Sequence, residues 1–227
     1  MTNKMLVWFK YTLTIVGERL PFGLFRRVQA LFNYLLLGRW MRQHGFVFHH
    51  RVRNREEVWK AVVDRISATP VLYLEFGVFE GASIRFWSDA LRDPGTRIHG
   101  FDSFEGLPAA GGPWSMGQFD VQGNMPSVPD QRVQFFKGWF DQVLPNYQVP
   151  PHDVLIINMD ADLYSSTIYV LRHLRPWIKP GTFLYFDEMN HLEHEPRALE
   201  DFMNESGLRF RGVSADLSLA FVFLECI

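Results

Sequence analysis

The sequence has little cysteine: Cys226 is the only one among its 227 residues. A single cysteine excludes an intramolecular disulfide and any zinc site that is built from several cysteines. It also fits a reducing compartment, so we expect a cytoplasmic protein. Neither sign of charge is in excess, because charged residues make up 21% of the chain and the formal net charge is -2. Such a chain has no overall attraction to nucleic acid, and we expect no nucleic-acid partner.

The chain also lacks an apolar run that is long enough to span a membrane. Residues 5–16 are apolar but contain Lys10 and Thr12, and no A-x-A cleavage site follows them. Between Leu24 and Leu36, apolar residues recur at helical spacing, which predicts an amphipathic helix. We expect its apolar face to pack on the core or across a homo-oligomer, and we leave membrane contact open as the less favoured alternative.

Two familiar nucleotide-binding fingerprints are absent. Gly77 and Gly81 in EFGVFEGAS follow an apolar run, but neither a Walker A loop nor G-x-G-x-x-G is present. Alone, this G-x-x-x-G is equally compatible with a plain strand-to-helix turn. Asp102 changes the balance, because it follows the glycines by some twenty-odd residues, a separation at which a carboxylate can accept hydrogen bonds from ribose hydroxyls. The pair indicates an adenosine-containing cofactor, and Glu75 would help to hold a cationic part of it.

The chain does contain four strand-like apolar runs that end in carboxylates, at Glu75, Asp102, Asp160 and Asp187. Segments between them read as helices, and this alternation predicts a parallel sheet that is covered on both faces. The carboxyl ends of such strands lie along one edge, where ligands bind. An ionised carboxylate at the end of an apolar strand is costly unless it is compensated, so four of them indicate a site.

A second cluster of acids points to a metal. NMDADLY places Asp160 and Asp162 just past one strand, and FDE places Asp187 and Glu188 at the end of another. If the two strands are neighbours, the mutual repulsion of these acids raises their pKa values unless a cation lies among them. Mg²⁺ or Mn²⁺ is the simplest such cation. The alternative is that Asp162 caps the next helix and Glu188 points to solvent, and we expect this for one of the four acids.

Residues 103–130 are rich in Gly, Pro, Ser and Met and have no clear period. A loop of this length inside a compact domain is functional or disordered. Its Trp114, Met116 and Phe119 favour a lid over a substrate. We expect two parts in the chain, an N-terminal helical extension over 1–69 and a cofactor-binding domain over 70–227.

Four segments together resemble a known family: YLEFGVFEGASI, GFDSFEGLP, FKGWFDQVLP and NMDADLYSSTIYVLRHLRPWIKPGTFLYFDE. They are similar to the macrocin O-methyltransferase family of class I S-adenosylmethionine-dependent methyltransferases, over roughly residues 70–205 and in the same order. The resemblance implies a Rossmann-like α/β fold, with a mostly parallel seven-stranded sheet, helices on both faces and an antiparallel end. It implies that S-adenosylmethionine is bound by Glu75, Gly77, Gly81, Ser83, Asp102 and Ser103, with Trp139 beside the adenine.

The same resemblance implies a metal site, with Mg²⁺ at Asp160, Asp187 and Glu188 and with Asp162 close by. The chain departs from the family at two positions. Ala161 stands where the family commonly has glycine, and Glu188, which is one methylene longer, stands where it has aspartate.

The expected activity is Mg²⁺-assisted methylation of a hydroxyl on a small molecule, such as a sugar or a glycosylated metabolite. Asp160 and Asp162 would act at the reacting centre, and Asp162 is the first candidate for the base. His191 and His194 are the second candidates, although a surface helix position is the alternative for each. A metal-independent methyltransferase of the same fold remains open, and so does a non-catalytic protein that binds the cofactor or a membrane surface.

Overall fold

The computed structural model describes residues 3–49, 51–66 and 69–227, and the elements below lie in those ranges. The strands are β1 Arg51–Val52, β2 Val71–Phe76, β3 Arg97–Asp102, β4 Val133–Lys137, β5 Val154–Met159, β6 Phe183–Phe186, β7 Phe210–Asp216 and β8 Val222–Cys226. The α-helices are α1 Asn3–Arg19, α2 Phe22–Gln43, α3 Arg55–Ile66, α4 Ala82–Ala90, α5 Phe140–Val143, α6 Tyr164–Leu174 and α7 Glu195–Ser206. Short 3₁₀ turns at Leu144–Asn146 and Arg175–Trp177 follow α5 and α6.

One sheet holds all of these strands in the order β1-β7-β8-β6-β5-β2-β3-β4. Strand β8 runs antiparallel to β6 and β7, and the other pairings are parallel. The predicted α/β fold with a mostly parallel sheet is confirmed. The expected count of seven strands was one short, because Arg51 and Val52 pair with Ala215 and Asp216 and add an edge strand. Two residues are too few to give a recognisable strand pattern in sequence.

Strand β2 shows why the sheet needs a cover on both faces. All six of its residues are buried. Leu72 and Leu74 join one apolar cluster with Leu171 of α6, whereas Tyr73 joins a second cluster with Trp87 of α4. Alternate residues of a strand point to opposite faces, so an uninterrupted apolar run is stable only between two helix layers.

The N-terminal helices differ from the expectation. The predicted helix exists as α2, but its apolar residues from Leu24 to Leu36 are exposed, and only Leu37, Trp40 and Met41 are buried. The expected core packing is therefore wrong for residues 24–36, and homo-oligomer contact stays a prediction. Among the helices of the described ranges, none combines the length and the apolar content that crossing a membrane requires.

The division of the chain at residue 70 also stays a prediction, but the structure adds detail to the first part. Helix α3 precedes that boundary and buries Val58, Trp59, Val62 and Ile66. These residues belong to the cluster that covers one face of the sheet. Residues 51–66 therefore pack with the sheet, whereas most of α1 and α2 does not.

Candidate active site

A cavity of about 810 Å³ lies at the carboxyl ends of the central strands. Strand β2 is flanked by β3 on one side and β5 on the other, so the chain order reverses there. Ligands of open α/β sheets bind at such a switch point. The cavity is lined by Arg55, Gly77, Phe79, Asp102, Ser103, Gly106, Leu107, Pro108, Phe119, Gly138, Trp139, Phe140, Asp141, Gln142, Asp160, Ala161, Asp162, Ser165, Ser166, Tyr169, Asp187 and Glu188.

The glycines of the turn between β2 and α4 serve mainly to make room for protein atoms. Gly77 has φ +94°, and a Cβ on it would lie 1.8 Å from the backbone oxygen of Asp160. Gly81 has φ +75° and is the N-cap residue just before α4, and a Cβ there would lie 2.8 Å from Cγ of Pro126. Both positions need glycine for backbone conformation and for close packing. Gly77 lines the cavity, whereas Gly81 does not.

Asp102 organises this same turn. Its Oδ2 accepts hydrogen bonds from the backbone N–H groups of Val78 and Phe79 at 2.8 and 2.9 Å. Its Oδ1 accepts one from the N–H of Phe104 at 2.7 Å. A carboxylate has about four acceptor sites, so three bonds to the protein leave little capacity for a ligand. Asp102 therefore shapes the cavity wall that it also lines.

Besides Gly81, two more of the predicted cofactor residues, Glu75 and Ser83, do not line the cavity. Glu75 is fully buried, and its carboxyl group accepts hydrogen bonds from Tyr73, from Asn158 at 3.0 Å and from Ser83 at 2.6 Å. Burial raises the pKa of Glu75 to about 7, against the lowering effect of these hydrogen bonds. This network joins β2, β5 and α4 behind the turn.

The loop 103–130 and the start of α5 form the remaining walls. Ser103 and Trp139 line the cavity, as does Phe119, whose ring packs edge-on against Phe79 with centroids 5.6 Å apart. Met116, in contrast, is 73% exposed. The loop is therefore part of the site, although only one of the two exposed apolar residues that suggested a lid lines the cavity.

The four acids that follow β5 and β6 all line the cavity. Burial first, and then the charges of Asp187 and Asp102, raise the pKa of Asp162 to about 7. Burial, Asp187 and Asp162 raise the pKa of Glu188 to about 8, and burial with neighbouring acids raises that of Asp160. Burial also raises the pKa of Asp187, although Tyr185 donates a hydrogen bond to it at 2.5 Å. The acids thus raise one another's pKa values, as expected for acids at the ends of the neighbouring strands β5 and β6.

The departure at Ala161 is explained by the backbone. The left-handed residue in the DAD segment is Asp162, with φ +57°, and not Ala161. Aspartate tolerates this conformation better than most residues do. Position 161 therefore has no need for glycine in this chain.

The carboxylate oxygens of these acids are ligands that suit a hard cation, but they do not form a complete coordination site by themselves. Within residues 3–49, 51–66 and 69–227, no three His, Cys, Asp or Glu side chains are grouped so that they could hold a metal ion. Mg²⁺ often uses one or two protein carboxylates and takes its other ligands from water or substrate. Asp160 and Asp187 fit that pattern. Glu188 fits it less well, because its Oε2 lies 3.5 Å from Nε2 of His191.

His191 and His194 contact the loop 103–130 and do not line the cavity. Nδ1 of His194 accepts a hydrogen bond from the backbone N–H of Tyr164 at 3.3 Å, so this nitrogen is unprotonated. The buried Trp114 packs edge-on against His191 and His194, with centroids 4.7 and 5.2 Å apart. Burial lowers the pKa of both histidines. His194 is absent from the lining of the cavity in the described chain, and Asp162 remains as the candidate base.

Sequence reasoning missed two charged residues. Arg55 of α3 lines the cavity, with Nη1 3.7 Å from Oδ2 of Asp187 and its guanidinium over the ring of Trp59. Glu195 is fully buried at the start of α7 and accepts a hydrogen bond from the backbone N–H of Glu188 at 2.8 Å. Arg55 lies outside every recognised motif, so no sequence signal marked it. Glu195 directly follows the NHLEH segment, a few residues after Asp187 and Glu188 in the chain. This closeness in sequence to the two acids was the available signal.

The strand order and a cavity with these residues define a Rossmann-like methyltransferase fold of class I. A family model described as "Methyltransferase domain" matches residues 74–189, and the chain belongs to this family.

Three comparisons show what the chain is similar to. It is 32% identical to the 8-demethyl-8-(2,3-dimethoxy-alpha-L-rhamnosyl)-tetracenomycin-C 4'-O-methyltransferase of Streptomyces olivaceus, over 51% of each chain. It is 26% identical to the mycinamicin III 3''-O-methyltransferase of Micromonospora griseorubida, over 51% of this chain and 54% of that one. The chain thus spans about half the length of these curated relatives. A crystal structure of a calicheamicin methyltransferase has a TM-score of 0.60 at 24% identity, over 75% of this chain and 76% of that one, and this likeness concerns the fold alone.

Proposed function

We propose that the protein is an S-adenosylmethionine-dependent O-methyltransferase of the macrocin type, which methylates a hydroxyl of a sugar or a glycosylated small molecule with the help of Mg²⁺. The observation that carries this proposal is that two groups of residues line the same cavity. One group lies at the carboxyl ends of β2, β3 and β4 and contains Gly77, Asp102 and Trp139. The other follows β5 and β6 and contains the acids Asp160, Asp162, Asp187 and Glu188.

The relatives and the charge of the cavity support the acceptor class. Both relatives are named as O-methyltransferases, and the name of the tetracenomycin enzyme includes a rhamnosyl group. Six carboxylates line the cavity, and in the described chain Arg55 is the one Lys or Arg side chain beside them. Arg55 already lies 3.7 Å from Asp187. A negatively charged acceptor would meet repulsion here, so an uncharged hydroxylated molecule is the better fit.

The residues of the cavity have distinct roles in this proposal. When bound, S-adenosylmethionine supplies an activated methyl group and Mg²⁺ lowers the pKa of a hydroxyl. Asp160 and Asp187 are the carboxylates that would hold Mg²⁺. Asp162 would accept the proton of the acceptor hydroxyl, because its carboxylate lines the cavity beside Asp160. Phe79, Phe119 and Trp139 would exclude water from the reacting centre.

The test measures binding and turnover separately. Calorimetric titration with S-adenosylmethionine, with and without Mg²⁺, reports binding, and formation of S-adenosylhomocysteine with a panel of uncharged glycosides reports turnover. Asp162→Asn should lower turnover by roughly 10²- to 10⁴-fold and leave cofactor binding within a few fold. Asp153→Asn is the matched control, because Asp153 is exposed at the opposite end of β5. Absence of cofactor binding by the unaltered protein under both conditions would refute the proposal.

A metal-independent methyltransferase of the same fold is the second candidate. The observation that favours it is Arg55, whose positive charge already compensates Asp187 in part. Turnover that is unchanged after treatment with EDTA, and unchanged on adding Mg²⁺ back, would select this candidate. Turnover that is lost with EDTA and restored by Mg²⁺ would select the metal-assisted one.

A further inference from the structure

The first two helices carry most of the exposed apolar surface of the molecule. Of the 24 large apolar side chains that are exposed in the described chain, 17 lie between Met5 and Leu36. Trp8 is 71% exposed and Phe22 is 75% exposed. Isolated exposed apolar residues are normal, whereas such a concentration of them in one part of the chain indicates a contact site.

The geometry of α2 directs this surface away from the rest of the protein. At its C-terminal end Leu37, Trp40 and Met41 are buried, and Nε1 of Trp40 donates a hydrogen bond to Glu200 of α7 at 2.9 Å. At roughly 100° per residue, a second row of residues lies on nearly the opposite side of the helix. We call this row the outer stripe; its members are Leu24, Val28, Leu31 and Leu35. Since the inner side of α2 is anchored to the body, the outer stripe faces away from it.

The charge of these helices is opposite to that of the rest of the chain. Residues 3–43 contain seven Lys or Arg residues and one acid, Glu18, which gives a formal charge of +6. The whole chain carries -2, so the remaining residues carry -8. At roughly 100° per residue, Arg39 and Arg42 lie on the same side of α2 as the outer stripe, beyond its C-terminal end. An apolar stripe that leads into arginines matches a surface where hydrocarbon adjoins negative charge.

We propose that α1 and α2 dock the protein on the surface of a bilayer that contains anionic phospholipids. The outer stripe would enter the boundary of the acyl chains, and the arginines would reach the phosphates. A second copy of the chain fits less well, because it would bring another +6 to the same contact, whereas anionic lipid brings the opposite charge. The helices would lie on the membrane, since none in the described chain is able to cross it. This docking does not depend on catalysis in the cavity.

Vesicle binding by the full chain tests the proposal. Flotation with vesicles of phosphatidylcholine is compared with flotation on phosphatidylcholine mixed with phosphatidylglycerol. We expect at least about 10-fold tighter binding to the mixed vesicles and loss of that advantage at high salt. Leu31→Glu combined with Leu35→Glu should abolish binding, whereas Leu217→Glu, at a 61% exposed position on the body, should not. Arg39→Glu combined with Arg42→Glu should weaken binding by roughly 30-fold or more, and Arg92→Glu serves as the exposed control on the body.

The oligomeric state of the same variants provides the opposing outcome. Equal binding to the two kinds of vesicle, or no binding to either, would overturn the proposal. So would a dimer or larger assembly that the Leu31 and Leu35 changes convert to a monomer, because the stripe would then be covered by a second copy. Thermal unfolding of each variant checks that these exposed changes leave the body folded.

Discussion

Replacing Glu75 by glutamine should change how the stability of the protein depends on pH. Glu75 is fully buried in the polar network of β2, β5 and α4, and burial raises its pKa to about 7. An unfolded chain would ionise this carboxyl near its usual value of about 4.3. The unfolded state therefore releases the proton first as the pH rises, and the stability of the folded state falls between about pH 4.5 and 7.

The magnitude follows from the difference between the two pKa values. Each unit of difference corresponds to about 1.4 kcal/mol, so the carboxyl lowers the free energy of unfolding by about 2–3 kcal/mol between pH 5 and 8. Glutamine has no proton to release in this range. Glu75→Gln should therefore become more stable relative to the unaltered protein by this amount as the pH rises from 5 to 8.

Urea unfolding at the two pH values measures the effect. The quantity compared is the difference in free energy of unfolding between the variant and the unaltered protein, at pH 5 and again at pH 8. Packing effects that are independent of pH cancel in the change of this difference, and so do the other titrating groups. Glu80→Gln changes an exposed carboxyl in the neighbouring turn and should follow the unaltered protein. If Glu75→Gln and the unaltered protein lose stability in parallel, within about 0.5 kcal/mol, the reasoning about burial is refuted.

Three further changes test the framework of the site. Gly77→Ala places a Cβ against the backbone oxygen of Asp160 and should cost about 3 kcal/mol or more in urea unfolding, and a smaller loss than 1 kcal/mol would contradict the close packing. Trp114→Ala removes the buried contact of the loop with two histidines and should lower the free energy of unfolding by about 3 kcal/mol. The variant should also be cleaved faster by proteases within residues 103–130, and cleavage at the original rate would contradict this role of Trp114. Arg132→Lys should lower stability by about 2 kcal/mol, because lysine cannot reproduce the paired hydrogen bonds of Arg132 to Asp130; calorimetric unfolding without a shift would contradict this.

The elements of the core were predictable because each one carries its own period. The run VLYLEF is buried on both faces and reads as an interior strand, and Gly207, with φ +69°, ends α7 where the amphipathic pattern stops. The four strand-like runs that were expected to end at Glu75, Asp102, Asp160 and Asp187 are β2, β3, β5 and β6, and each strand ends within one residue of its acid. Strand β1 was not predictable, because its two residues pair with β7, which lies more than 150 positions later in the chain.

The candidate site shows the same division. The carboxyl ends of parallel strands share one edge, so the meeting of Asp102, Asp160 and Asp187 at one cavity followed from their positions at strand ends. The depth of each side chain did not follow. Glu75 ends the same kind of run but turns into the network behind the cavity, where Ser83 and Asn158 donate hydrogen bonds to it.

The order of strands and helices, and the edge of the sheet at which the acids gather, follow from the amino-acid sequence, because both depend on local period and on the direction of parallel strands. Three facts required the folded chain: which atoms fill the space beside Gly77, that Arg55 enters an acidic cavity, and that the stripe of α2 faces outward. Each of these facts depends on contacts between residues that are far apart in the chain. Spacing along one segment carries no record of such contacts.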